Sequence, residues 1–137
     1  MNPLSALPTL LVVEDELEVA DYLRDYFQAH GVKVLNAHTG EQALEAISTG
    51  QPAAVLLDLK LGSGMSGVEV LRQVRANRST VPIIVLTAVD DQNMVDMAKG
   101  IGATDYLTKP FSVTGLEKAV LPYLKQAVPD QRPGTAV

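Results

Sequence analysis

Ala53-Ala54-Val55-Leu56-Leu57-Asp58 decides the fold: five apolar residues run without a polar interruption straight into a carboxylate. A strand with one wet face alternates apolar and polar side chains, whereas a strand covered on both faces is apolar throughout, as in parallel sheets flanked by helices. Comparable short runs stand at residues 9–13, 32–35, 81–86 and 104–107. Between them the period changes. Leu17, Ala20, Leu23, Tyr26 and Phe27 fall on one face of a helix that closes near Gly31. Thr39 offers an N-cap to a second helix carrying Ala43, Leu44 and Ile47, which Gly50 and Pro52 stop. A third helix passes through Val70, Leu71 and Val74 after the small-residue loop 62–67, a fourth spans residues 92–100, and a fifth runs from near Ser112 to near Lys125.

Five strands alternating with five helices predict an α/β fold, an open, doubly wound five-stranded parallel sheet with helices on both faces, because right-handed crossovers carry the helices there. In such folds ligands bind beyond the carboxyl ends of the strands, where the strand order reverses. The strand ends are therefore where chemistry is expected.

A chain of 137 residues has room for one core and little more. Residues 8–126 read as the domain, 1–7 as an N-terminal extension and 127–137 as a flexible tail or the start of a linker. The absence of cysteine leaves stability to the core and excludes thiolate metal sites. A formal charge of −5 argues against direct nucleic-acid binding, which draws its affinity from clustered Lys and Arg. The apolar runs are too short to span a bilayer, and no basic segment followed by an apolar core opens the chain, so neither membrane attachment nor export is expected. The expected location is cytoplasmic.

The strand ends carry Glu14 and Asp15, then Asp58, Thr87 and Lys109. Brought to one edge of a sheet, carboxylates about 5 Å apart repel by roughly 3 kcal/mol per pair at an effective dielectric near 20. A cation relieves this, and hard oxygen donors without His or Cys suit Mg²⁺ or Mn²⁺. The ammonium of Lys109 and the hydroxyl of Thr87 complete a pocket for phosphoryl oxygens, with Asp58 as nucleophile. Singly, each residue has a plainer role. Glu14 and Asp15 can favour a helix start, Asp58 can form a turn, Thr87 can cap, Lys109 can be a solvated charge, and Tyr106 can be ordinary packing. Their coincidence favours the functional reading. His30 and His38 read as surface residues, and Met94 and Met97 as helix packing.

Glu14-Asp15, Asp58, Thr87-Ala88 and the run Gly102-Ala103-Thr104-Asp105-Tyr106-Leu107-Thr108-Lys109-Pro110-Phe111, in this order and at these strand ends, resemble the bacterial response-regulator receivers of two-component signalling, over about residues 8–125. The resemblance implies a flavodoxin-like (βα)5 sheet in the order 2-1-3-4-5. It implies Asp58 as phosphoacceptor, Asp15 and Asp58 as side-chain ligands of Mg²⁺, Glu14 as an outer acidic partner acting through water, and the backbone carbonyl of Lys60 as the third protein ligand. Thr87 resembles the switch hydroxyl, Lys109 the ion-pair partner of the phosphoryl group, and Tyr106 the aromatic rotamer switch. A cis Lys109–Pro110 bond is implied as well. The implied partners are a histidine kinase or histidine phosphotransfer protein, and a downstream protein or output domain meeting the face of the fourth helix, fifth strand and fifth helix.

The chain departs from the family pattern after Asp58. Gly62 stands where proline is usual, and the usual glycine is displaced by one position to Gly67, so loop 62–67 contains an inserted residue. Lys60 and Val89 occupy places that tune dephosphorylation in the family. The region 113–119 lacks the Glu-Leu then Arg pattern of the winged-helix transcription-factor subgroup, which weakens the expectation of dimerisation in that style. Two other classes are open: a pseudo-receiver that binds partners without phosphorylation, and a phosphatase with an aspartyl-phosphate intermediate. The first is disfavoured because the whole constellation is present. The second wants an Asp two positions past the nucleophile, where Lys60 stands. The expected protein is a switch, with self-phosphorylation and autodephosphorylation but no turnover chemistry.

Overall fold

The computed structural model describes residues 7–62, 64–88 and 90–127. Strands β1 (Thr9–Val13), β2 (Lys33–Ala37), β3 (Ala54–Asp58), β4 (Ile83–Ala88) and β5 (Asp105–Lys109) alternate with helices α1 (Leu17–Ala29), α2 (Gly40–Gly50), α3 (Gly67–Ala76), α4 (Gln92–Ile101) and α5 (Val113–Ala127). All pairings are parallel, in the order β2-β1-β3-β4-β5. The expected doubly wound α/β architecture and its strand order are both present. The order reverses between β1 and β3, which places Glu14 and Asp58 at the ends of neighbouring strands.

The unbroken apolar runs follow from having two cores. Side chains alternate across a strand, so Leu10 and Val12, Ala54 and Leu56, Ile84 and Leu86 pack on one face against Leu23 and Phe27 of α1 and Leu116 and Val120 of α5. Leu11 and Val13, Val55 and Leu57, Ile83 and Val85 pack on the other against Ala43 of α2, Val70 and Leu71 of α3 and Ala98 of α4. The central strands are dry on both sides. Each Leu or Ile buried in this way contributes about 1.5–3 kcal/mol.

Four helix starts are capped by side chains, that of α2 by the expected Thr39 and those of α3, α4 and α5 by Ser66, Asp91 and Ser112. Thr39 accepts from the Gln42 N–H, Ser66 from Glu69, Asp91 from Met94 and Ser112 from Gly115. The stop of α2 differs from expectation: Gly50 remains helical, and Gln51 takes the left-handed conformation at φ 44°. Lys109–Pro110 is cis, as expected. Gly67 has no room for a side chain, because a Cβ there would fall 2.1 Å from the Asp58 carbonyl oxygen. The start of α3 is thereby held against the end of β3.

Strand boundaries differ from the sequence reading in one direction. The strands β2, β3, β4 and β5 each begin and end later than the apolar runs suggest, and Asp58, Thr87 and Lys109 lie inside them. The ladder continues through polar positions, pairing Thr87 with Thr108 and Ala88 with Lys109. Residues 1–6 of the expected extension, residues 128–137 of the expected tail, and Ser63 and Val89 lie outside the described residues. Among the described residues no helix is long and apolar enough to cross a membrane.

Candidate functional site

The end of β1 delivers Glu14 into the interior. Its N–H still bonds the Ala37 carbonyl of β2 at 3.0 Å, and its side chain is fully buried. Asp58 and Thr87 are the other buried polar or charged side chains among the described residues, and they stand at the ends of adjacent strands. Lys109 ties the group together. Its Nζ donates to Asp58 Oδ2 at 2.9 Å, lies 2.9 Å from Glu14 Oε1, and approaches Glu16 Oε1 at 3.4 Å. Asp58 Oδ1 accepts from the Lys60 N–H at 2.9 Å.

The electrostatics of this group do not close on protein atoms. One ammonium faces three carboxylates, from Glu14, Glu16 and Asp58, whose oxygens come within 4.8 Å of one another. Burial pushes the Glu14 carboxyl up to about 7; Lys109 opposes the rise and the Asp58 charge adds to it. For Lys109 burial alone favours the neutral amine, but the carboxylates of Asp58 and Glu14 outweigh it and hold the ammonium above its usual range. Glu14 Oε2 accepts from the Glu16 N–H at 3.2 Å. Oε1 is close enough to Lys109 for an ion pair but lies off the hydrogen-bonding direction, so this buried oxygen has charge contact without a hydrogen bond. A hard-oxygen cluster with an unsatisfied buried acceptor fits a divalent cation such as Mg²⁺.

The expected residues are placed as follows. Glu14, Asp58 and Lys109 are in mutual contact. Thr87 lines the same cavity of about 370 Å³, together with Asp15, Glu16, Lys60, Ala88 and Lys109. Asp15 borders the cavity without joining the carboxylate cluster; its Oδ2 occupies the space beside Gly62, 2.5 Å from where a Cβ would stand. Glu16 joins in its stead. It is the N-cap position of α1 but makes no capping bond with its side chain, which leaves the carboxylate free to face Lys109. Glu16 is absent from the candidates read off the sequence; the signal for it is a third carboxylate in a row, after Glu14 and Asp15 and directly before a helix. Lys60 sends its ammonium to Asp91 at 3.3 Å. Tyr106 lies on β5, partly exposed, under the Lys99 ammonium at 4.8 Å from the ring centre.

His30 and His38 are exposed, as expected, and their Nδ1 atoms meet the carbonyls of Tyr26 and Glu14. Met94 packs against the core beside Val95 and Ala98. Met97 does not. It is 48% exposed because it lies to the side of the face that α4 turns inward, which corrects the reading of both methionines as packing.

Beside the cavity, on the far side of Lys109, runs a groove of about 480 Å³ between α1 and the segment after β5, lined by Glu18, Val19, Tyr22, Lys109, Pro110 and Phe111. Its surface is apolar and aromatic, with the Tyr22 and Phe111 rings 6.4 Å apart. It meets the acidic cavity at Lys109.

Residues 10–121 match the family described as the response regulator receiver domain. The chain is 40% identical over 119 residues to an uncharacterized transcriptional regulatory protein, YkoG, of Bacillus subtilis, covering 85% of this chain and 51% of that one. It is 31% identical over 115 residues to sporulation initiation phosphotransferase F of the same organism, covering 84% and 92%. The chain thus spans about half the length of the first relative and nearly all of the second. Among solved structures, a response regulator from Chloroflexus aurantiacus superposes with a TM-score of 0.80 at 35% identity, covering 87% of this chain and 98% of that one. With the strand order, the buried carboxylates and the match across 10–121 in agreement, the chain belongs to the receiver-domain family of two-component response regulators.

Proposed function

We propose that the protein is a phosphorylation switch in which Asp58 accepts a phosphoryl group from a phosphohistidine of a histidine kinase or phosphotransfer protein. The observation that carries this reading is the Lys109 ammonium, set 2.9 Å from both Asp58 Oδ2 and Glu14 Oε1 at the base of an open cavity. A carboxylate oxygen of Asp58 attacks phosphorus, the P–N bond breaks, and the leaving imidazole takes up a proton. Lys109 orients the nucleophile and meets charge on the transferring group, and Thr87 offers a hydroxyl from the next strand. Glu14, Glu16 and Asp58 would hold Mg²⁺, with Asp15 and the Lys60 carbonyl at its border; Mn²⁺ suits the same donors. When bound, the cation neutralises phosphoryl oxygens and the surplus carboxylate charge.

The aromatic groove along α1 suits the donor protein, because it opens directly beside Lys109. The response then passes from the added charge through Thr87 and Tyr106 to the α4–β5–α5 face, where a downstream protein or an output domain binds. The protein acts as a switch of limited lifetime, with no turnover chemistry. Incubation with acetyl phosphate and Mg²⁺ tests this: one phosphoryl group per chain is expected on a phosphate-affinity gel, absent in Asp58→Asn and in EDTA. Uptake that persists in Asp58→Asn contradicts it.

A further inference from the structure

Lys60 stands two residues past Asp58 and lines the cavity above it. Its backbone N–H is bonded to Asp58 Oδ1, which fixes the root of its side chain beside the acceptor carboxylate. The ammonium turns away, to lie 3.3 Å from Asp91 Oδ2. Asp91 is the N-cap of α4, and its other oxygen, Oδ1, accepts from the Met94 N–H at 3.3 Å. One carboxylate thus has two duties: one oxygen starts α4 and the other holds a cation that borders the phosphoacceptor cavity.

Resting on the phosphoacceptor reading above, we propose that Asp91 is a positioning residue that keeps the Lys60 ammonium off Asp58 until phosphorylation, when the ammonium moves to the phosphoryl oxygens and releases the start of α4. A phosphoryl group carries about −1.5 to −2 at neutral pH, against a single charge on Asp91. At equal distance it attracts the ammonium about twice as strongly. The four-carbon stem of lysine can swing without moving the backbone that is tied to Asp58. The Lys60 side chain is 65% exposed, so the pair with Asp91 is weak enough to exchange. The Asp91–Met94 bond survives the exchange, and α4 loses its tether to the segment after β3. Charge on Asp58 therefore reaches α4 by a route separate from Thr87.

The test uses Asp91→Asn and Lys60→Gln. Asparagine caps a helix as well as aspartate does, so Asp91→Asn removes the ion pair and keeps the start of α4. Beryllofluoride with Mg²⁺ is titrated into the wild type and both variants, following the Met94 amide and amides next to Asp58 by NMR. The proposal expects Asp91→Asn to bind beryllofluoride about two- to fivefold more tightly, and the Met94 amide to shift on binding clearly less in Lys60→Gln than in the wild type. Equal affinity in wild type and Asp91→Asn, with an unchanged Met94 response in Lys60→Gln, overturns the proposal while leaving the phosphoacceptor reading intact. No beryllofluoride binding by the wild type removes both.

Discussion

Lys109 reaches Asp58 across an intervening strand: its Nζ lies 2.9 Å from Asp58 Oδ2, although β4 separates β5 from β3 in the sheet. The same ammonium stands 2.9 Å from Glu14 Oε1, so it is the main local counter-charge for two buried carboxylates. Removing one partner of a buried ion group leaves the others uncompensated, at a cost of about 3–5 kcal/mol. Lys109→Met is accordingly expected to lower the urea midpoint of the metal-free protein strongly, and Mg²⁺ is expected to restore part of the loss. Asp58→Asn removes one charge of the surplus and is expected to raise the midpoint in EDTA. Equal midpoints for wild type and both variants would contradict this picture of the site.

The Glu14 carboxyl gives the metal-free protein a pH dependence of defined sign. Its folded value of about 7 lies above the ordinary 4.5, chiefly through burial. The folded state therefore holds a proton that the unfolded chain has lost between these values. Stability from this group is complete below 4.5 and is lost as the pH rises through 7. In EDTA the urea midpoint is expected to fall across that window, and Glu14→Gln is expected to flatten the fall. Saturating Mg²⁺ is expected to stabilise most at the alkaline end, where the carboxylate is charged and able to bind it.

Gly67 is set by the backbone of the acceptor strand. A Cβ there would press to 2.1 Å from the Asp58 carbonyl oxygen and 2.6 Å from the Leu59 Cα, neither of which can rotate away. Gly67→Ala is expected to cost about 1–3 kcal/mol and to slow phosphorylation by displacing the segment that follows Asp58. Thermal melts and acetyl phosphate uptake check the two effects. A melt equal to that of the wild type would mean that the loop yields freely.

Tyr22 separates chemistry from docking. It lines the groove along α1 and has no contact with Asp58 among its ring contacts, which are with Tyr26 and Phe111. Tyr22→Ala is expected to leave acetyl phosphate uptake within about twofold and to slow transfer from a phosphohistidine protein donor at least tenfold, a loss of about 1.4 kcal/mol or more. Equal slowing with both donors would move Tyr22 from docking into the chemistry.

Much of the fold is legible in the sequence because two cores impose one simple pattern on the central strands. The bounds of β1 are read correctly, and β3 and β4 are found from their apolar runs alone. Their ends are misjudged for a physical reason. Thr87 and Lys109 belong to strands through backbone pairing with Thr108 and Ala88, and hydrophobicity carries no record of that pairing. Asp58, Glu14 and Lys109 are legible as a site because charge at the end of a dry strand needs a partner. The choice of Glu16 over Asp15 in the carboxylate cluster depends on how two adjacent side chains turn at a helix start, and on the gap at Gly62 that accepts Asp15. Gln51 in the left-handed region shows the same limit: the glycine one residue earlier suggested the stop, and the helix ran through it.

The central claim is that the phosphoryl group goes to Asp58, and reductive trapping tests it most directly. After incubation with acetyl phosphate and Mg²⁺, borohydride converts an aspartyl phosphate to homoserine, and peptide mass mapping locates it. The account predicts homoserine at position 58, lost in Asp58→Asn and strongly reduced in Lys109→Met. Homoserine at another carboxylate, or a stable phosphoryl adduct on His30 or His38 with none at Asp58, would contradict it.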